Sequence, residues 1–178
     1  LAFVSMFVIG GLWYSAMPTE TLTANPAVDF VVMGEEESFG DLIEAIDKKK
    51  DLTKVAGVTS RASGKPVMGP YSPLNMDLDK LPLPAYDLFP MDKYVGHTYW
   101  KPFAELMTSR GCPGKCHFCY EWALYDPRTA TKDFTSWRGL KGKRIVAELE
   151  LLEKKYGITT VVFQDDAFNT DTQAMIEF

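Results

Sequence analysis

The stretch "TSRGCPGKCHFCYEW", Thr108 to Trp122, holds all three cysteines of the 178-residue chain, Cys112, Cys116 and Cys119, within eight residues. A closed structural zinc site takes four protein ligands, usually as two separated pairs, and an electron-transfer iron-sulfur cluster also takes four. Three thiolates leave a coordination position open, as a site needs where something is to react. The spacing C-x3-C-x2-C lets one loop wrap three corners of a compact cluster, with Gly111, Pro113 and Gly114 shaping the turn. On a four-iron cube, three thiolates leave one iron without a protein ligand. Two other readings stand beside this one: unliganded cysteines, and a zinc site completed by His117 or His97.

Working outward, a strand of about Phe103 to Thr108 runs straight into the cysteine loop. A helix is predicted at about Lys143 to Tyr156, where Ile145, Val146, Leu149, Leu152 and Tyr156 recur at helical spacing and Gly157 supplies the stop. "ITTVVFQDD" then reads as a buried strand ending in Asp165 and Asp166. Strand, helix, strand is a parallel βαβ unit, so the carboxyl ends of both strands lie at one sheet edge. The cysteine loop and the aspartate pair are therefore expected to face the same region.

The N-terminal part repeats the alternation. Ala2 to Ile9 reads as a buried parallel strand running into the Gly10-Gly11 turn, and "MPTETLTANP" as a short helix opened by Pro18. "VDFVVMG" is a second strand, and "EEESFGDLIEAIDKKK" a helix with acids first, lysines last and Leu42, Ile43 and Ile46 on one face. This is the pattern of an open α/β sheet covered on both faces. The apolar opening lacks the basic segment of a signal peptide, and the glycine pair divides it below the length of a membrane span. "VAGVTSRASGKPVMGPYSP" predicts a β-hairpin turning at Ser63-Gly64, and Pro82, Pro84 and Pro90 forbid a continuous helix through the connector that follows.

Composition bounds the partners. With 46% hydrophobic and 13% aromatic residues the chain forms a core, and its net charge of −5 does not favour a nucleic-acid backbone. An odd number of clustered cysteines points to a reducing, cytoplasmic compartment.

"SRGCPGKCHFCY" resembles the cluster loop of the radical S-adenosylmethionine superfamily, with Phe118 at the aromatic position. The resemblance implies that Cys112, Cys116 and Cys119 ligate a [4Fe-4S] cluster. S-adenosylmethionine then binds the fourth iron through its amino and carboxylate groups, and an electron from the cluster cleaves the sulfonium to methionine and a 5′-deoxyadenosyl radical. It places Phe118 against the adenine side. "VVFQDDAFNTD" is similar to the family's second strand end, which makes Gln164, Asp165 and Asp166 candidates to hold the amino group of S-adenosylmethionine. Read as residues alone, Asp166 also suits a helix N-cap. "SWRGLKGKR" resembles the family's "WR" stretch, so Arg138 is a candidate to position a carboxylate or the substrate, with a solvated basic face as the other reading.

Upstream, "VIGGLWYSAMPTETL", "VDFVVMGEEESFGDLIEAI" and "LDKLPLPAYDLFP" resemble the cobalamin-binding, flavodoxin-like domain and linker of one large class of these enzymes. Gly10 and Gly11 match the glycine pair that lets the cofactor tail approach the backbone. The D-x-H-x-x-G motif that supplies the lower axial ligand has no counterpart, since His97 and His117 are the only histidines.

The expected α/β architecture is the C-terminal part of a Rossmann-like, flavodoxin-like domain over 1–70, a proline-rich linker over 71–100, and the start of a (β/α)6 partial TIM barrel over 101–178. A chain beginning at Leu1 is expected to start within a domain. The implied activity is methyl transfer to an unactivated carbon or phosphorus centre, or a related radical rearrangement, on a small-molecule substrate. It would draw electrons from a reductant such as flavodoxin or ferredoxin. The alternatives are a methylthiotransferase acting on tRNA or protein, and a non-catalytic zinc or iron-sulfur electron-transfer module.

Overall fold

The computed structural model describes residues 5–96, 102–114, 116–119 and 136–177. The chain divides into two units, one of Leu1–Leu74 with Lys115–Phe134, the other of Asn75–Gly114 with Thr135–Phe178. Both are mixed α/β structures.

In the first unit the order is β1 (Val8–Ile9), α1 (Leu12–Ala16), α2 (Pro18–Ala24), β2 (Phe30–Val32), α3 (Glu37–Asp47), β3 (Val58–Ala62) and β4 (Lys65–Met68). The β-branched run after Asp29 makes β2 the buried centre of a sheet ordered β1-β2-β3-β4. Its side chains alternate between two cores. Phe30 and Val32 pack with Leu42, Ala45, Val55 and Val58 on one face, whereas Val31 and Met33 pack with Leu22 on the other. β1 pairs with β2 in parallel, and β3 and β4 join antiparallel, so the hairpin extends the same sheet and makes it mixed. The hairpin turns at Ser63 (φ 50°) and Gly64 (φ 78°); two positive φ values in a two-residue loop match the strand twist.

Three expectations change here. β1 is two residues long and half-buried, with Met6 and Phe7 exposed, because its only paired neighbour among the described residues is β2. Residues 1–4 lie outside the described residues. The glycine pair leads into α1, a helix not anticipated. On α3 the buried positions are Ser38, Leu42 and Ala45, at i, i+4 and i+7, while Ile43 lies off that stripe and is 49% exposed.

The second unit runs β5 (Phe103–Leu106), β6 (Ser109–Arg110), β7 (Arg138–Gly139), α4 (Gly142–Tyr156), β8 (Thr160–Phe163) and α5 (Thr172–Glu177). β5 and β8 pair in parallel in the register Phe103↔Thr160 to Leu106↔Phe163, and β6 pairs antiparallel with β7. The strand before the cysteines thus ends at Leu106 rather than Thr108. β8 is half-buried instead of buried, its one paired neighbour among the described residues being β5. Ala104, Leu106, Leu152 and Ile158 form the core. α4 stops at Gly157 (φ 65°), where the Gly157 and Ile158 amides close back onto Glu153 and Leu152.

The stretch after Asn75 contains three single 3-10 turns, Leu78–Lys80, Tyr86–Leu88 and Met91–Lys93, and is tied to α4. Residues 97–100 of the expected linker lie outside the described residues. The Lys141 amide donates to Asp79 (3.1 Å), and Arg144 Nη2 donates to the carbonyls of Leu81 (3.4 Å) and Pro82 (3.0 Å). Glu148, 6% exposed, accepts from the Tyr86 hydroxyl and pairs with Arg144 at 3.2 Å. Burial first, and the bond to the Glu148 carboxylate second, push the Tyr86 pKa above its ordinary value. No helix among the described residues is long and apolar enough to cross a membrane.

Candidate functional site

Two places carry the residues singled out by the sequence. In the first unit, the carboxyl ends of the parallel strands β1 and β2 open onto a cleft of about 300 Å³ lined by Gly10, Gly11, Gly34, Glu35, Glu36 and Phe39, among others. The crevice beyond the carboxyl ends of parallel strands is where open α/β sheets place ligands. Gly10 passes close to β2: a Cβ there would stand 3.3 Å from the Val32 carbonyl oxygen. Gly11 combines φ 103° with ψ 169°, a region open to glycine alone, and a Cβ built on it meets nothing within 4 Å. The backbone at Gly11 is therefore bare. The Gly34 amide is fixed by donating to the buried Ser15 hydroxyl (3.1 Å), which ties the end of β2 to α1.

In the second unit, the chain leaving β5 is pinned before it reaches the first cysteine. Asp165, just beyond β8, accepts at Oδ1 from the Thr108 amide (2.8 Å), the Thr108 hydroxyl (3.1 Å) and the Ser109 hydroxyl (2.6 Å). Gly111 (φ 74°) lies so close to Ser136 that a Cβ would stand 2.3 Å from its carbonyl oxygen. The Ser136 hydroxyl, itself buried, accepts from the Cys112 amide (3.2 Å) and donates to the Cys112 carbonyl (3.3 Å). The Gly114 amide donates to Cys112 Sγ at 3.3 Å, a contact that orients the sulfur. Cys116 and Cys119 fall in the segment grouped with the first unit, where the Cys119 amide closes a turn onto the Cys116 carbonyl (3.1 Å). All three cysteines are free thiols.

The other predicted residues are placed as follows. Phe118 is 94% exposed. Gln164 is held by its amide on the Leu106 carbonyl (2.8 Å), and its side chain is exposed, as is Asp166. The N-cap of α5 is Asp171, which accepts from the amides of Gln173 and Ala174, so Asp166 does not cap that helix. Arg138 is no part of a solvated face. It is 5% exposed on β7, its Nε donates to the Asn75 carbonyl (3.0 Å) and its Nη1 to the Ser136 carbonyl. Burial lowers its pKa to about 10. The neighbouring Trp137 indole donates to the Ala167 carbonyl (3.1 Å). Thr108, Ser109 and Ser136 were not singled out by sequence. The one signal for them was three small hydroxyl residues at the borders of the cysteine and "WR" segments.

With these positions known, the chain can be set beside the proteins it is similar to. An uncharacterized methyltransferase of Pyrococcus horikoshii is 36% identical over 171 residues, 96% of this chain and 35% of that protein. The anaerobic magnesium-protoporphyrin IX monomethyl ester cyclase of Rubrivivax gelatinosus is 29% identical over 176 residues, 96% of this chain and 30% of that protein. The radical S-adenosylmethionine methyltransferase TsrM of Kitasatospora setae, solved with cobalamin and a [4Fe-4S] cluster bound, superposes with a TM-score of 0.63 at 18% identity, covering 96% of this chain and 32% of that one. The chain shares the fold of this radical S-adenosylmethionine methyltransferase and is similar over nearly its whole length to the methyltransferase and the cyclase. No protein-family model matches it. It spans about a third of the length of these curated relatives.

For the cofactors bound in the TsrM structure, the fit to this chain is a matter of donor sets. Among the described residues no three His, Cys, Asp or Glu side chains are already arranged to hold a metal ion. The ligand chemistry nonetheless suits iron and sulfide: three free thiols on one short segment, the first with a backbone N–H aimed at its sulfur. The bare Gly11 backbone beside an open cleft suits the close approach of a bulky cofactor. Of the two histidines, His117 is exposed and His97 lies outside the described residues.

Proposed function

We propose that this chain supplies part of a cobalamin-dependent radical S-adenosylmethionine enzyme that transfers a methyl group to an unactivated carbon or phosphorus centre of a small molecule or carries out a related radical ring closure. Residues 1–70 act as the cobalamin-side α/β layer, 71–100 as the connector, and 101–178 as the opening βα units of the catalytic partial barrel. The observation that carries the reading is the immobilised entry to the three-cysteine segment, at the strand edge where β8 also ends. The methyltransferase and cyclase among the relatives support the two reaction outcomes.

Cys112, Cys116 and Cys119 hold three irons of a [4Fe-4S] cluster and leave the fourth for S-adenosylmethionine. When bound, the cluster would supply one-electron reducing chemistry toward the sulfonium, and cobalamin would supply a carrier for the methyl group. The chain's own part is to bind and to orient. The bare backbone at Gly11, next to Gly10 on the cleft wall, admits the cobalamin tail. Phe118, solvent-facing, is free to cover the adenine, and Gln164 and Asp166 stand exposed beside the strand end for the methionyl amino group. Arg138 keeps its charge at neutral pH and orders the Ser136 carbonyl. The electron donor is a small reductant protein such as flavodoxin or ferredoxin, in the cytoplasm.

The test is anaerobic reconstitution of the whole protein with iron and sulfide, followed by electron paramagnetic resonance of the reduced sample with and without S-adenosylmethionine. A four-iron signal that shifts on adding S-adenosylmethionine is expected. Zinc in place of iron, or turnover retained after Cys112→Ala, Cys116→Ala or Cys119→Ala, overturns the proposal.

A further inference from the structure

We infer that Asp165 and Ser136 are positioning residues that fix the backbone at Cys112 for ligation independently of any cluster, through Thr108, Ser109 and the Cys112 amide and carbonyl. The inference rests on the proposed function only in calling Cys112 a ligand. The geometry stands without it.

Three donors converge on one oxygen of Asp165, two from Thr108 and one from Ser109. Hydrogen bonds to an ionised carboxylate are about twice as strong as neutral ones, and here they fix both a backbone amide and the two side chains that precede the cysteine segment. The other oxygen, Oδ2, is buried and makes no hydrogen bond among the described residues. The carboxylate is thus turned toward its own chain. From the β7 side, Ser136 grips both polar groups of the Cys112 backbone, and the glycine at 111 lets that contact close. Segment 108–112 is therefore held at both ends by residues 24 and 57 positions away in sequence. A ligand residue fixed in this way loses little further freedom when it binds, which is how a supporting shell raises affinity without touching the metal.

Amide hydrogen exchange followed by mass spectrometry, on the whole protein freed of iron, tests this without relying on activity. Asp165→Ala is expected to speed exchange across 108–114 by about 10- to 100-fold, the loss of two or three charge-assisted bonds, with strand 103–106 and helix 142–156 unchanged. Asp165→Asn, which keeps an accepting oxygen, should restore part of the protection. Ser136→Ala should speed exchange at Cys112 and raise the alkylation rate of the Cys112 thiol relative to Cys116. The double variant Thr108→Val, Ser109→Ala leaves the carboxylate in place and should reproduce the local signature.

Unchanged protection in 108–114, or a rise spread evenly over the unit, overturns the inference. So does a weaker affinity for S-adenosylmethionine in the Asp165 variants with loop protection intact, since Asp165 would then touch the ligand itself. Failure of the functional reading looks different: wild-type protein that takes up no iron and sulfide, with these exchange rates unaffected.

Discussion

The glycines at 10–11 and at 111 sit at the two places where this chain is expected to meet its cofactors, and they are there for opposite reasons. At Gly11 the space a side chain would fill is empty, and the residue is glycine because its φ and ψ admit nothing else. At Gly111 the space is already taken by the Ser136 backbone. One glycine exposes the main chain to a visitor, whereas the other brings two pieces of the protein into contact. The difference follows from what each site offers. A surface that receives a large organic cofactor needs bare backbone, and a segment that offers side-chain ligands needs its backbone tied down.

Substitutions can break that contrast. Gly111→Ala is expected to be the most damaging, lowering stability by about 2–4 kcal/mol through backbone strain and the clash with Ser136 and reducing iron uptake. Urea unfolding and iron analysis check it, and normal values for both would show that the contact is dispensable. Gly11→Ala adds strain but no clash, so a loss of about 2 kcal/mol is expected together with weaker cobalamin binding by spectral titration. Unaltered cobalamin affinity would remove Gly11 from the site.

Tyr86→Phe sharpens the contrast by loosening a tie that involves neither glycine, at about 1 kcal/mol. It carries a pH signature. The Tyr86 pKa is raised in the fold, so above the ordinary tyrosine value of 10.0 the unfolded chain loses this proton first and stability falls as pH rises. The variant should lack that alkaline loss, and identical pH profiles would show that the hydroxyl is not held as described. The smallest effect, below about 0.5 kcal/mol, is expected for Gly10→Ala, where the Val32 carbonyl has only to yield a few tenths of an ångström.

What was legible in the sequence was local. β2 announced itself by β-branched residues, the hairpin by Ser63-Gly64, and α4 by its apolar stripe and Gly157, because propensity, period and turn chemistry act within a few residues. The cysteine spacing was legible for the same reason. The length of β1, the exposure of Ile43 and the half-burial of β8 depend on which neighbours cover them, and no short window contains that information. The Asp165 clamp, the grip of Ser136 and the bond from Tyr86 to Glu148 join residues 57, 24 and 62 positions apart. Such side-chain contacts leave no periodic trace. Arg138 shows the limit most plainly: its place in the sequence suggested either ligand binding or a solvated face, and only β6 and the Asn75 segment packed around it make it an interior cross-brace.

The separation between Thr108 and Asp165 also sets an order of events in the life of the chain. A ribosome adds residues one at a time from the N-terminus, at about 5–20 per second, so the cysteines emerge several seconds before the carboxylate that braces their approach. Until β8 has followed and docked beside β5, that brace is missing from the entry to the cysteine segment. On the proposed reading, the brace that steadies the approach to the first cysteine is completed only after all three cysteines have been made.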